Sequence, residues 1–164
     1  MTIALKWKKG LFSDTSTIYS GYNAVGKLKC ESFNNLATAE LNDKHFRFKS
    51  KSFLGGDIVV FDQSTNERVG EITFNTFSTK AKIYTDSGLV LWRSLDIWGK
   101  RWVVFNDKGE KIKYSSEMTE GNLISDFDDE LLILIGLYIP SFLSRITITI
   151  VTITMVIIIA TISS

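Results

Sequence analysis

His45 is the single histidine and Cys30 the single cysteine of this 164-residue chain, so a Ser-His-Asp or Cys-His arrangement would have to pass through one of them. His45 lies in the stretch His45-Phe46-Arg47-Phe48-Lys49-Ser50-Lys51 with no Ser or Cys nucleophile motif beside it, and reads as a surface side chain. A lone cysteine excludes an intrachain disulfide framework, fits a reducing compartment and reads as a small buried hydrophobe. No phosphate loop, H-E-x-x-H, Cys-x-x-Cys or dinucleotide fingerprint is present. The acidic run Ser125-Asp126-Phe127-Asp128-Asp129-Glu130 carries oxygens that suit calcium or magnesium, yet it lacks the alternating ligands and the glycine of a calcium loop. A helix start is expected there instead. Ser125, three residues before Asp128, makes a capping-box variant, and the carboxylates face the positive end of the helix dipole. The chain is therefore expected to be no enzyme, with no catalytic residue, metal or cofactor.

Cations offer the more usable chemistry. Strict alternation from His45 to Lys51 puts Phe46 and Phe48 on one face of a strand and Arg47, Lys49 and Lys51 on the other. Lys44 lies beside them, and Lys80 and Lys82 alternate in a later strand. Such a face attracts anionic lipid headgroups at about 1 kcal/mol per cation near the membrane surface. The competing reading is a solvated outer face kept soluble by lysine. Trp92, Trp98 and Trp102 crowd around Arg93, Lys100 and Arg101, a mixture able to stack single-stranded bases. Core packing is the better account of Trp92 and Trp102, which alternate with polar or charged neighbours. A net charge of +1 gives no global argument for nucleic acid.

The elements that must carry these residues are short strands. Ala4 to Lys8, Thr15 to Ser20, Ala24 to Cys30, Leu36 to Leu41 and the stretch from His45 read as the first five, punctuated by Gly10, Gly21, Gly26 and Asn42-Asp43. Asp57 to Asp62 and Arg68 to Phe74 form a hairpin across Gln63-Ser64-Thr65-Asn66. Lys80 to Tyr84 and Leu89 to Arg93 flank Asp86-Ser87-Gly88, and Arg101 to Phe105 and Glu110 to Tyr114 flank Asn106-Asp107-Lys108-Gly109. A last strand near Asn122 to Ile124 makes about twelve. Many short strands with tight turns point to a closed antiparallel sheet, since closure removes unpaired edges.

From Leu131 to Ile162 the chain is apolar, with Arg145 its only charge and Pro140, the single proline, dividing it. Leu131 to Ile139 has no side suited to water as a helix and must be enclosed. Ile146 to Ile162 is about 25 Å long as a helix, near the roughly 30 Å of a bilayer core. One helix through both would place Pro140 in its interior at a cost of about 3 kcal/mol, so two segments are expected. Ile146-Thr147-Ile148-Thr149-Ile150 also alternates like a buried strand. The unbroken apolar run beyond it favours a membrane helix, in which threonine hydrogen-bonds back to its own backbone. Arg145 would mark the cytoplasmic edge of this tail anchor.

The repeated strand-and-turn units, such as Gly56-Asp57-Ile58-Val59-Val60-Phe61-Asp62 and Arg68-Val69-Gly70-Glu71-Ile72, ahead of Asp129-Glu130-Leu131-Leu132-Ile133-Leu134-Ile135, resemble the layout of the tubby-like C-terminal superfamily. That superfamily includes the LURP-one-related proteins and the phospholipid scramblases. The likeness spans about Ala4 to Phe142 and rests on layout. It implies a mainly β fold: a twelve-stranded closed barrel enclosing a hydrophobic C-terminal helix, with lipid contact as the class of function.

The expected organisation is a barrel over residues 1–143, its central helix at about 127–139, and a hydrophobic tail over 144–164 that crosses a membrane. The N-terminus has no h-region of a secretory signal, which leaves the β-domain in the cytoplasm. Membrane phospholipid is the expected partner, with a protein partner or scramblase-like lipid transport as alternatives.

Overall fold

The computed structural model describes residues 2–31, 34–52 and 54–163. Twelve strands follow one another: β1 (Ile3–Lys9), β2 (Thr15–Ser20), β3 (Asn23–Cys30), β4 (Leu36–Leu41), β5 (Lys44–Ser50), β6 (Ile58–Asp62), β7 (Arg68–Phe74), β8 (Lys80–Thr85), β9 (Gly88–Ser94), β10 (Arg101–Phe105), β11 (Lys111–Glu117) and β12 (Glu120–Ser125). Each pairs antiparallel with its neighbours in sequence, and β1 closes the barrel against β12 from Ile3↔Ser125 to Lys8↔Glu120. No edge is left open for another chain to pair with.

Alternation decides what enters the barrel. Leu5, Ile18, Leu28, Phe48, Ile58, Ile72, Ile83, Ile112 and Leu123 point inward and are buried, while their sequence neighbours face out. Trp92 and Trp102 join the core, as their alternation predicts. A barrel of eight strands is filled by its own side chains, and diameter grows with strand number. Twelve strands leave a bore, and the chain fills it with α1 (Glu130–Ile162). Leu131 to Ile139 and Phe142 are all buried, each large apolar side chain contributing about 1.5–3 kcal/mol relative to exposure. Phe48 stacks on Tyr138 at 4.4 Å and Tyr138 on Phe142 at 5.7 Å.

Two expectations need correction. First, the helix does not break at Pro140: it runs for 33 residues, about 50 Å at 1.5 Å per residue. Proline at 140 removes the amide that would bond the Gly136 carbonyl. The barrel wall replaces it, because the Trp102 indole N–H donates to that carbonyl at 2.7 Å. Second, the helix starts at Glu130, three residues later than expected, and its cap is Asp129, whose Oδ1 accepts from the Leu132 amide at 3.1 Å. Ser125 instead closes a turn, accepting from the Phe127 amide and donating to the Phe127 carbonyl. Ile146 to Thr154 is helical, as the unbroken apolar run beyond it led us to expect over the competing strand. Thr147, Thr149, Thr152 and Thr154 each donate to the carbonyl four residues back at 2.9–3.0 Å, which removes their hydroxyls from the need for water.

Candidate membrane-facing site

Because successive strands are antiparallel, the loops fall alternately at the two ends of the barrel. α1 begins at the end that carries the β4–β5 turn, where Glu130 accepts from Lys44 Nζ at 2.8 Å and Asn42 Nδ2 at 3.1 Å. It leaves at the other end. There the Arg145 guanidinium donates to the Glu31 carbonyl at 2.6 Å and lies 5.7 Å from the Phe142 ring, while Phe74, the last residue of β7, stacks on Phe142 at 5.7 Å. Beyond this collar the helix is bare. Ile148, Ile150, Val151, Ile153 and Met155 to Ile159 are all exposed, on a helix long and apolar enough to cross a membrane.

The two ends differ sharply in chemistry. Among the described residues, the loops at the entry end hold Asp43, Glu67, Asp86, Asp107, Glu110, Asp126, Asp128 and Asp129 against Lys108; Tyr22 is their one exposed aromatic. At the exit end every connection except the one after β3 presents an exposed apolar side chain among the described residues: Leu11 and Phe12, Leu54, Phe77, Ile97 and Trp98, and Met118. Phe77, Ile97 and Trp98 are 83%, 91% and 79% exposed. The loop over residues 95–100 holds its shape through Asp96, whose Oδ1 accepts from the Trp98 and Lys100 amides at 3.0 Å each while Oδ2 faces Arg101 Nε at 3.3 Å. These contacts, the Lys100 amide foremost, keep the Asp96 carboxyl below its ordinary pKa.

The six cations singled out from the sequence lie on the outer surface but do not gather into one patch. Lys44 sits at the entry end in its ion pair with Glu130, which raises its pKa. Arg47 donates to Asn66 Oδ1 at 2.8 Å and covers Phe61. Lys51 is shared between Glu71 at 2.8 Å and Asp57 at 3.3 Å. Of the β5 set only Lys49 has no ionic or hydrogen-bonding partner among the described residues. On this strand Lys44 and Lys51 are thus paired with carboxylates, while Arg47 is held by a neutral amide and keeps its charge beside Lys49.

Lys80 and Lys82 belong to a different surface. Lys80 pairs in register with Arg93, Arg93 with Val103, and Val103 with Lys113. In the next outward row Lys82 meets Leu91, Leu91 meets Phe105 and Phe105 meets Lys111. Arg93 lies 5.2 Å above the Phe105 ring. Val103 is outside the core cluster yet 6% exposed, covered by the stems of such neighbours. None of these five cations has an ion pair among the described residues. Sequence reasoning found two of the five and missed Arg93, Lys111 and Lys113 as members, because cross-strand register brings them together. The alternation of Lys111-Ile112-Lys113 was the available signal.

Between this wall and β1 runs an open groove of about 1290 Å³, lined by Lys6, Lys8, Tyr22, Trp98, Arg101 and Met118 among others. His45 sits on the outer wall with Nδ1 3.3 Å from Glu40. Cys30 is half-buried and burial pushes its thiol pKa up. Among the described residues no three His, Cys, Asp or Glu side chains gather as a metal cluster. No family model matches the chain, and neither any curated protein nor any solved structure is similar to it at a significant level.

Proposed function

We propose that the protein is a non-enzymatic, membrane-tethered barrel that contacts anionic phospholipid. The observation that carries this reading is the division of one helix between two environments: Leu131 to Phe142 is packed inside protein, and the apolar stretch from Ile148 onward has no protein to cover it. Leaving such a surface in water opposes the hydrophobic effect along the whole segment, and a bilayer core matches its length. The β-domain lies on the cytoplasmic side, with Arg145 at the boundary as the positive-inside rule favours. Membership of the tubby-like superfamily is part of the proposal and rests on layout, a closed twelve-stranded meander around a C-terminal helix.

Lys80, Lys82, Arg93, Lys111 and Lys113 replace the β5 strand as the surface for anionic headgroups, because all five lack an ion pair among the described residues and lie in adjacent rows of one wall. Lipid passage through the bore has no support, since the bore is occupied by packed core. A protein partner is the second reading, favoured by the groove between Tyr22 and Trp98.

The test is flotation of the full chain with vesicles followed by alkaline extraction. The protein should stay with lipid, and Ile153→Lys with Ile157→Lys should release it, each lysine costing about 3 kcal/mol near the centre of a span. Retention of the double variant after extraction would refute the tether. Protease protection of the barrel in sealed microsomes would refute the cytoplasmic side.

A further inference from the structure

We infer that the exit end of the barrel is itself a lipid-binding surface, with Phe77, Ile97 and Trp98 immersed in the bilayer interface and Lys80 and Arg93 set beneath them at headgroup level. The inference rests on the tether reading above and names the surface that meets the membrane.

Helix geometry sets the level of these loops. Phe74 stacks on Phe142 at 5.7 Å, one helical turn before Ile146, so the β7–β8 loop starts beside the point where the helix leaves the barrel. Phe77 is three residues further on. Ile146 itself still touches the collar, its Cδ1 lying 3.3 Å from where a Cβ on Gly55 would stand. The apolar tip of the loop therefore lies level with the start of the span. The β9–β10 loop, at the same end, carries Ile97 and Trp98 and is held rigid by Asp96.

Charge follows the same order. Lys80 is the first residue of β8 and Arg93 is next to last in β9, so both lie just below these tips and face each other across the ladder. Apolar and indole side chains at the tip with cations one step behind match a bilayer, whose acyl boundary underlies a layer of phosphates. The opposite end, with its eight loop carboxylates and one lysine, would be repelled by the same surface. Among the described residues five loops present exposed apolar side chains at this end and only the Tyr22 loop does so at the other.

Single cysteines at positions 77, 97, 157 and 87 in the full chain, labelled with a bimane fluorophore in vesicles of phosphatidylcholine and phosphatidylserine, test this. Cys30 is half-buried with a raised thiol pKa, and a Cys30→Ser background removes any label it takes. Lipids carrying a nitroxide near the headgroup should quench Phe77→Cys and Ile97→Cys, lipids carrying it deep in the acyl chain should quench Ile157→Cys, and Ser87→Cys at the acidic end should keep its emission. Quenching at 157 without quenching at 77 and 97 overturns the inference and leaves the tether standing. Quenching at 77 and 97 without 157 upholds the surface and removes the span. Label-to-label coupling between protein molecules at 77 or 97, with no lipid quenching, would show that a second copy covers this end and likewise overturns the inference.

Discussion

Substituting Trp102 and Pro140 together tests whether the barrel wall repairs the helix. The indole of Trp102 donates to the Gly136 carbonyl at 2.7 Å, the acceptor that Pro140 leaves without an intrahelical partner. Trp102→Phe keeps an aromatic ring against Tyr114, on which Trp102 stacks at 5.4 Å, but removes the donor. An orphaned buried acceptor costs about 1–3 kcal/mol, with a smaller contribution from lost volume. Pro140→Ala supplies an amide at the right position and improves intrinsic helix propensity by up to about 3 kcal/mol. In that background the Gly136 carbonyl no longer needs Trp102, so Trp102→Phe should lose the orphaning part of its cost. The expected coupling is about 1–2 kcal/mol, well above the roughly 0.5 kcal/mol within which independent sites add. Urea unfolding of the full chain in mild detergent, followed by far-ultraviolet circular dichroism, measures all four corners of the cycle. Additive effects of the two substitutions would refute the idea that the indole replaces the missing amide.

The packing and charge of the barrel set four further outcomes. Gly136→Ala, which would stabilise an exposed helix by about 1 kcal/mol, should destabilise this one by about 2 kcal/mol net, because the new Cβ would run into the buried Tyr114 hydroxyl; a melt at or above wild type refutes the packing. Asp96 has a depressed folded pKa, so its hold on the 95–100 loop is complete above the ordinary aspartate value of about 3.9 and is lost as pH falls through the folded value. Amide exchange at Trp98 and Lys100 should accelerate over that acid range and not above it. With the span disabled by Ile153→Lys and Ile157→Lys, Lys80→Glu with Arg93→Glu should weaken partition to phosphatidylserine vesicles at least about 30-fold, from the loss of about 1 kcal/mol per cation before any repulsion from the new carboxylates. Arg47→Glu with Lys49→Glu should weaken it less, and a reversed order restores β5 as the contact surface. A chain ending at Ser144 should be soluble, β-rich and cooperative in its melt; an aggregate would mean that the bare helix belongs to the fold.

The strands were legible because each carried its own period and its own turn. Thr15–Ser20, Leu36–Leu41, Arg68–Phe74 and Arg101–Phe105 fall where alternation and turn residues put them, and the remaining strands differ by one to three residues at one or both ends. Enclosure of Leu131 to Ile139 was legible too, since a helix without a polar face has few places to go. What stayed hidden was always a partner distant in sequence. Nothing near Pro140 shows that an indole 38 residues earlier serves its orphaned carbonyl, so a break was the reasonable expectation. Nothing in His45-Phe46-Arg47-Phe48 shows that Asn66 has taken Arg47 or that Glu71 has taken Lys51. Ser125 and Asp129 are both good capping types, and only the backbone path decides that Asp129 holds the Leu132 amide.

Continuity through Pro140 also bears on how the domain meets the bilayer. Had the helix broken there, the barrel would hang from its span on a hinge, and any wall could face the lipid. Instead one helix runs from the acidic entry end through the core into the apolar tail, and Arg145, Phe142 and Phe74 fasten it at the mouth of the barrel. The direction of the span thereby fixes the direction of the barrel. If the tail spans a bilayer as proposed, the end that meets it is the one ringed by Phe77, Ile97 and Trp98, and the wall nearest to it begins with Lys80 and Arg93. A helix-breaking insertion of two glycines after Leu143 tests this coupling, because it keeps the core segment and the span while freeing their relative orientation. It should retain the protein on vesicles and abolish the quenching of labels at 77 and 97. Unchanged quenching would mean that the loops bind lipid on their own strength, without help from the rigid helix.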